Sequence, residues 1–336
     1  KFGFVDVNSP KAMRILQQRI IAYQHVGMMV NVHDIYRPRG LTRTWPHLVT
    51  QEGVRGEERK PDATHHTILP FVRYLQGAAD YTPRYLKGAL RCTRAHQLAL
   101  PFLFFSPIQS LFWAEPGQAI SDAVQMYHPE LIIWQMMPTT WDDTRVLAGS
   151  IGEYASIARR TGDEWFVGTI TNTESRVLTL NLSSLFDNSI DGYSHPLPLV
   201  EQPLENKKGY MIHLYEDDPK SGGDLTVESN LNNVRVKLRQ QFILPSKWST
   251  EVHHWTKARA LQSTSPFPND PMPTHLANLQ EYRRKVTVAQ EKQLTKMYEK
   301  EGFKKGIPPP VVLDSPFIKV KLAPSGGHVM YITPIV

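Results

Sequence analysis

The strongest constraint on the fold lies in residues 1–33, where a strand, a helix and a second strand follow one another with short connections. Phe2 to Val7 is an apolar run that reads as a buried strand. Residues 9–26 read as a helix: Ser9 suits the N-cap, Pro10 the first helical position, and Met13, Leu16, Ile20 and Ile21 recur near the 3.6-residue period. Gly27 suits the C-terminal cap, and residues 28–33 (MMVNVH) read as a second buried strand. A strand–helix–strand unit requires parallel strands, because the helix returns the chain to the starting edge. The unit places Asp6 and the pair His33-Asp34 at the C-terminal ends of neighbouring strands. A chain that opens directly into such a strand reads as part of a longer protein.

Residues 35–66 follow as a long loop broken by Pro38, Gly40, Pro46, Gly53, Gly56 and Pro61. Residues 67–77 and 91–105 read as helices, the second apolar nearly all round at its end, and residues 129–134 read as a further strand. The texture changes near Trp141, and a boundary is expected at residues 138–145. Beyond it, runs within 146–182, 209–217, 225–229 and 234–238 have the alternation of an antiparallel sheet. Residues 245–275 read as loop, 276–302 as a charged amphipathic helix, and 318–334 as a closing hairpin around Gly326-Gly327.

Composition narrows the function classes. The 336 residues are 41% apolar, enough for a large core, and their length is that of two domains. Lys and Arg number 38 against 32 Asp and Glu, a dispersed excess of +6 that gives no nucleic-acid footprint. No apolar run approaches the ~18 residues of a membrane span. The single cysteine, Cys92, excludes an internal disulfide framework and any Cys-rich zinc site, and beside an apolar helix it reads as an inert core thiol. His65-His66 lacks the spacing of a zinc pair, and no G-x-S-x-G is present.

The segment 31–58 concentrates the chemistry. Asp34 and His33 end a parallel strand, Asp6 ends its neighbour, and Glu52 and Glu58 lie in the loop that follows. Taken singly, each carboxylate is an ordinary surface charge and His33 an ordinary structural histidine. Converging on one rim, four carboxylates repel unless a cation offsets them, and calcium prefers such oxygen donors; Arg37, Arg39, Arg43 and Arg55 offset part of the charge as well. A carboxylate pair is also what glycosidic cleavage needs, one as acid and one as nucleophile or base.

This segment resembles glycoside hydrolase family 97, the calcium-dependent α-glucosidase and α-galactosidase family. The similarity continues through His65 to Phe71, Gly77 to Pro83, Ala95 to Leu100, Pro138 to Thr144, Gly152 to Tyr154 and Ile157 to Arg160, with a weaker match at 318–334. The resemblance implies an α/β plus all-β chain. Residues 1–140 would be the later part of a catalytic (β/α)8 barrel and 141–336 an antiparallel C-terminal β-sandwich domain, with an insertion at 240–315. It implies Glu58 as general acid, Asp6 as the nucleophile of retaining members, and Glu52 and Asp34 as ligands of Ca2+. His33 and Arg55 would bind the sugar or fix the carboxylates. Asp34 stands where inverting members carry a glutamate, and the Asn8-Ser9-Pro10 that follows the Asp6 strand replaces an acidic stretch. The implied activity is a retaining, α-galactosidase-like exo-α-glycosidase acting on an oligosaccharide or α-glycoside. The alternatives are an inverting α-glucosidase and an inactive carbohydrate-binding homologue. A further calcium ligand would come from an N-terminal domain outside this chain, and members of the family are typically exported.

Overall fold

The computed structural model describes residues 1–4, 7–34, 36, 38–85, 90–112, 130–186, 209–245 and 310–335. Asp6, and residues 246–309 with the helix expected there, lie outside this set. Helix α1 spans Pro10–His25, and Ser9 Oγ caps it by accepting the Ala12 N–H at 3.1 Å. Strand β1 (Val30–Val32) pairs in parallel with β2 (Leu48–Gln51), and the short helix α2 (Leu41–Thr44) lies between them. Phe2 makes a parallel bridge to Val32. Leu16 and Ile20 of α1 bury against Val30, Val32 and Leu48.

The long loop expected over 35–66 is therefore interrupted by a buried strand; Leu48–Gln51 is too short to display a period in sequence. Helix α3 spans Ala63–Ile68 and ends in two 3-10 turns, Leu69–Phe71 and Tyr74–Gln76, in place of one helix over 67–77. Pro70, which lacks an N–H, sits in the first of these turns. Helix α4 (Arg94–Leu103) is buried from Ala95 to Leu103. Residues Leu131–Met136 form helix α5, not the strand expected at 129–134, because a short apolar run fits either element.

The remaining elements are strands: β3 (Asp143–Ser150), β4 (Tyr154–Thr161), β5 (Glu164–Thr171), β6 (Arg176–Asn181), β7 (Gly209–Asp218), β8 (Arg235–Pro245), β9 (Val311–Val312), β10 (Phe317–Leu322) and β11 (Gly327–Ile335). Among the described residues they form a seven-stranded sheet in the order β3-β4-β5-β11-β7-β8-β9 and a two-stranded sheet of β6 and β10. The expected hairpin at 318–334 does not form. β10 pairs with β6, whereas β11 inserts between β5 and β7. The Gly326 region thus carries the chain from one sheet to the other. The expected strand at 225–229 is also absent: Asp224 Oδ1 accepts the Thr226 N–H and hydroxyl, closing a local turn that leads into a 3-10 segment at Glu228–Asn233.

Both faces of the large sheet are covered. Phe166, Val329 and Tyr331 face α4 with Phe102 and Leu98, whereas Trp165, Val167, Met330 and Ile332 face Leu180, Ile318 and Val320 of the small sheet. Alternate residues of β5 and β11 thus serve opposite cores, which is why both strands are buried almost without interruption. Gly327 permits a close approach, since a Cβ there would lie 2.7 Å from His96 Cα in α4. The core runs continuously from Tyr81, Tyr85 and α4 into the sheet, across the expected boundary at 140/141.

The start of α4 is tied to the sheet by a buried carboxylate. Thr93 caps the helix, donates its hydroxyl to Asp217 Oδ2 at 2.8 Å, and Gly327 N–H donates to the same oxygen at 3.2 Å. Burial pushes the Asp217 carboxyl up to about 7, against these hydrogen bonds and one from the Ala95 amide. A carboxyl held more strongly protonated in the folded state makes stability highest below its ordinary value of 3.8 and declining as pH rises through about 7. Asp217→Asn is expected to flatten this decline, read as the difference in denaturation midpoint between about pH 4 and pH 8.

Candidate active site

The C-terminal ends of β1 and β2 carry the rim. The Glu52 N–H continues the parallel ladder to the Val32 carbonyl at 2.8 Å, which sets Glu52 beside His33 and Asp34. Glu52 Oε2 accepts the Asp34 N–H at 2.6 Å and lies 3.2 Å from His33 Nδ1. Asp34 adopts a left-handed backbone, φ 75°, and its Oδ2 accepts the Phe4 N–H. Gly53 makes the bend after Glu52 possible: its φ is +48° and a Cβ would sit 2.3 Å from the Tyr36 carbonyl oxygen.

His33 is buried between two carboxylates, with Nε2 2.7 Å from Asp80 Oδ2 on the other side. Burial opposes its charge, but the flanking Asp80 and Glu52 raise it to about 9, so the imidazolium is the stable form at neutral pH. Asp80 is fully buried and also accepts from Asn31 Nδ2 at 2.8 Å and from the Ser110 N–H at 2.9 Å. Burial disfavours its charge, yet hydrogen bonds from His33, Ser110 and Asn31 and the nearby Lys1 hold it well below the usual carboxylate range. Arg73 supports the same region from behind. Its guanidinium donates to the carbonyls of Gln51, Glu52, Gly53, Gly77 and Ala78 at 3.0–3.3 Å, joining the end of β2 to the segment that delivers Asp80.

The structure thus brings three of the sequence-selected residues, His33, Asp34 and Glu52, into direct contact. Glu58 lies exposed on the 3-10 turn Glu57–Arg59, and Arg55, also exposed, spends Nη2 on the Arg59 carbonyl at 3.3 Å. Asp6 lies outside the described residues, as do Val5 and Arg37, and among those described the buried strand expected over residues 2–7 is not seen: Phe2 makes a single bridge to Val32, and Phe4 is fully exposed with φ 55°. Asp80, Arg73 and Glu57 carry the arrangement without having been given roles in sequence. Asp80 sits in Gly77 to Pro83, a run noted only for family likeness; a charged residue within so apolar a run was the available signal. Nothing local marks which of Glu57 and Glu58 turns inward.

One further group among the described residues, His66, Cys92 and His96, could in principle hold a metal ion. The histidines are joined directly, His66 Nδ1 to His96 Nε2 at 2.9 Å, a hydrogen-bond length, and burial pushes the Cys92 thiol well up, away from the thiolate a metal needs.

Fold and rim together define an α/β-plus-β protein with charged groups gathered at parallel strand ends. Models of glycoside hydrolase 97 and of the glycosyl-hydrolase 97 C-terminal, oligomerisation region match residues 1–54 and 140–244. A probable retaining alpha-galactosidase of Streptomyces bingchenggensis is 36% identical over 172 residues, 50% of this chain and 26% of that protein. A retaining alpha-galactosidase of Bacteroides thetaiotaomicron is 32% identical over 183 residues, 48% of this chain and 27% of that protein. In solved structures, a family 97 enzyme of Pseudoalteromonas sp. strain K8 in complex with acarbose shares the fold at TM-score 0.58 and 18% identity, over 96% of this chain and 37% of that one. A beta-arabinopyranosidase does so at TM-score 0.59 and 18% identity, over 98% and 38%. Over residues 1–54 and 140–244 the chain matches glycoside hydrolase family 97. It spans about a quarter of the length of the curated relatives it matches.

The pair His33–Asp80 gives the site a defined pH window. His33, raised from 6.5 to about 9, contributes stability that is present below 6.5 and lost as pH rises through about 9. Asp80, lowered, contributes stability present above 3.8 and lost as pH falls. Asp80→Asn is expected to cost about 3 kcal/mol at neutral pH, because it leaves a buried imidazolium short of a partner. It should also weaken the alkaline step, and denaturant titrations at several pH values check both.

Proposed function

We propose that this chain supplies the acid/base residue and part of the calcium rim of a retaining exo-α-glycosidase of α-galactosidase type. The observation that carries the reading is the assembly of Glu52, Asp34 and His33 at the ends of parallel strands, with Asp80 against His33 and Glu58 six residues beyond Glu52. The names of the two sequence relatives support the retaining, galactoside-cleaving assignment. Residues 1–140 are read as the later part of a (β/α)8 barrel, in keeping with α1 and the parallel β1–β2 pair. Residues 141–336 are read as a C-terminal β-sandwich domain, in keeping with the small sheet lying on the large one. The relatives' length supports a catalytic unit that includes an N-terminal domain beyond these residues.

In this reading Asp6 attacks the anomeric carbon while Glu58 gives its proton to the leaving glycosidic oxygen, so the C–O bond breaks as the glycosyl ester forms. Glu58, now a carboxylate, takes a proton from water, whose oxygen attacks the same carbon and releases Asp6. Glu58 is exposed, as a residue that meets an incoming sugar must be. His33 fixes Glu52 rather than touching substrate, since both its ring nitrogens face carboxylates. Arg55, exposed and three residues before Glu58 in the chain, is read as a donor to sugar hydroxyls.

The carboxylate oxygens of Glu52 and Asp34 are a hard donor set of the kind Ca2+ takes, and Glu52 is tied to Asp34 by the bond from the Asp34 backbone N–H to Glu52 Oε2. Those two residues would contribute two of the six to eight oxygens that calcium needs. Bound there, the cation would orient sugar hydroxyls and offset the rim's negative charge. The inverting alternative needs Asp34 as a water-activating base, and the names of the two sequence relatives favour retention instead.

Glu58→Gln is expected to lower kcat on unactivated α-galactosides by about 10²–10⁴-fold, with much smaller loss on aryl galactosides whose leaving group needs no proton. Asp6→Ala should abolish turnover and be rescued by azide, giving the glycosyl azide of inverted configuration; little effect of this change would sink the retaining assignment. Calcium should raise the melting temperature of the parent chain and do so less in Glu52→Gln, followed by scanning calorimetry with and without chelator.

A further inference from the structure

Behind the turn that carries Glu58 runs a buried chain of polar side chains that the proposed reaction does not use. Glu57, Tyr81, His66 and His96 are all buried to within 1% exposure. Their hydrogen bonds can be counted from a fixed end. His96 Nδ1 lies 3.2 Å from the Gly326 carbonyl oxygen, which can only accept, so that nitrogen carries the proton. Nε2 of neutral His96 is then an acceptor, and His66 Nδ1, 2.9 Å away, must donate to it. Neutral His66 therefore accepts at Nε2, where its partner is the Tyr81 hydroxyl. Tyr81 has one proton and spends it there. The 3.0 Å contact between the Tyr81 oxygen and Glu57 Oε2 is then a hydrogen bond only if the proton comes from Glu57.

Hydrogen bonding at Glu57 favours the carboxylate, and burial favours the neutral acid. Gln97 Nε2 donates to Oε2 at 3.0 Å, its orientation set by Gln97 Oε1, which accepts the Arg84 N–H at 3.2 Å. Glu57 Oε1 is buried with no hydrogen-bond partner among the described residues, a tolerable place for a carbonyl oxygen and a costly one for half a carboxylate charge. The titratable and charged groups around it are Tyr81, His66, Cys92 and Arg84. Burial raises Glu57 against the pull of Gln97, Tyr81 and Arg84, and burial with the neighbouring His96 and His65 drives His66 well down. Both directions disfavour the alternative, an ionised Glu57 paired through Tyr81 with a buried imidazolium.

We infer that Glu57 is a neutral carboxylic acid and the positioning residue for Glu58. It anchors the turn Glu57–Arg59 through the one-way chain Glu57 to Tyr81 to His66 to His96 to the Gly326 carbonyl. The chain ends beside the turn between β10 and β11, so the placement of the acid is referred to the C-terminal sheet. The role given to Glu57 rests on the reading of Glu58 as the acid; its protonation state does not.

The test uses the full 336-residue chain labelled with 13C-carboxyl glutamate. Infrared difference spectra are expected to show a protonated-carboxyl band that persists from about pH 5 to pH 8. The band should vanish in Glu57→Gln and survive in Glu58→Gln. Amide hydrogen exchange of residues 56–60 should stay slow in Glu57→Gln, which keeps one donor and one acceptor, and quicken by about tenfold or more in Glu57→Leu. Absence of the band, an imidazolium nitrogen pattern for His66, or a stoichiometric transition metal lost on Cys92→Ser would each overturn the inference. None of these readouts needs turnover, so an inactive chain would count against the proposed function and leave the state of Glu57 decided on its own.

Discussion

The seating of α4 is the contact on which the other parts of the structure depend. On one side the helix meets β5 and β11, with Phe102 stacked on Phe166 at 5.4 Å between ring centroids. On the other it meets Tyr81, Tyr85 and the segment that supplies Asp80. Its N-terminus is fixed by Thr93 and Asp217, and its C-terminal end by Arg159, whose Nε donates to the Phe102 carbonyl at 2.6 Å. A helix buried from Ala95 to Leu103 is covered on every face, and here the covering elements come from both halves of the chain. The rim and the antiparallel sheet therefore share one core.

Charge at the rim is managed by pairing rather than by exposure. His33 stands between Asp80 and Glu52 and satisfies both, while Arg73 spends its donors on backbone carbonyls and so stiffens the loop without neutralising either acid. Exposed ion pairs contribute little, but a buried charge left alone is expensive, so these partners fix side-chain directions more firmly than surface bridges could. Positive φ occurs twice at the same place: Asp34 and Gly53 are joined by the Gly53 N–H to the Asp34 carbonyl at 3.2 Å, and both adopt it. The outcome is a rim in which the carboxylate of Glu52 has a single defined position and Glu58 is carried outward on a turn whose neighbouring residue is buried.

Much of this was legible in local sequence. Ser9-Pro10 and the apolar spacing after it mark α1, since caps and periodicity act within one or two turns. The alternation in β4, β5 and β7 marks the antiparallel sheet, and the carboxylates after a buried run mark the rim. The parts that were misread share one cause. Leu48–Gln51 is a strand because β1 accepts it as a neighbour, and residues 131–136 are a helix because their surroundings, not their apolar content, select it. Residues 318–334 lack a hairpin because β6 and β7 compete better for the two strands than they do for each other.

The sequence by itself determined helix α1, most of the antiparallel strands and the placing of His33, Asp34 and Glu52 within one short stretch, because helix caps, strand alternation and strand-end position are short-range properties. Tertiary structure alone decided which acids became partners. Asp80 reaches His33 across 47 residues, and Asp217 reaches Gly327 across 110. It also decided that Glu57 faces inward and Glu58 outward, since two adjacent glutamates are equivalent until a buried tyrosine and glutamine receive one of them. The physical reason is that burial and pairing energies depend on what stands opposite a side chain, and no local pattern records that.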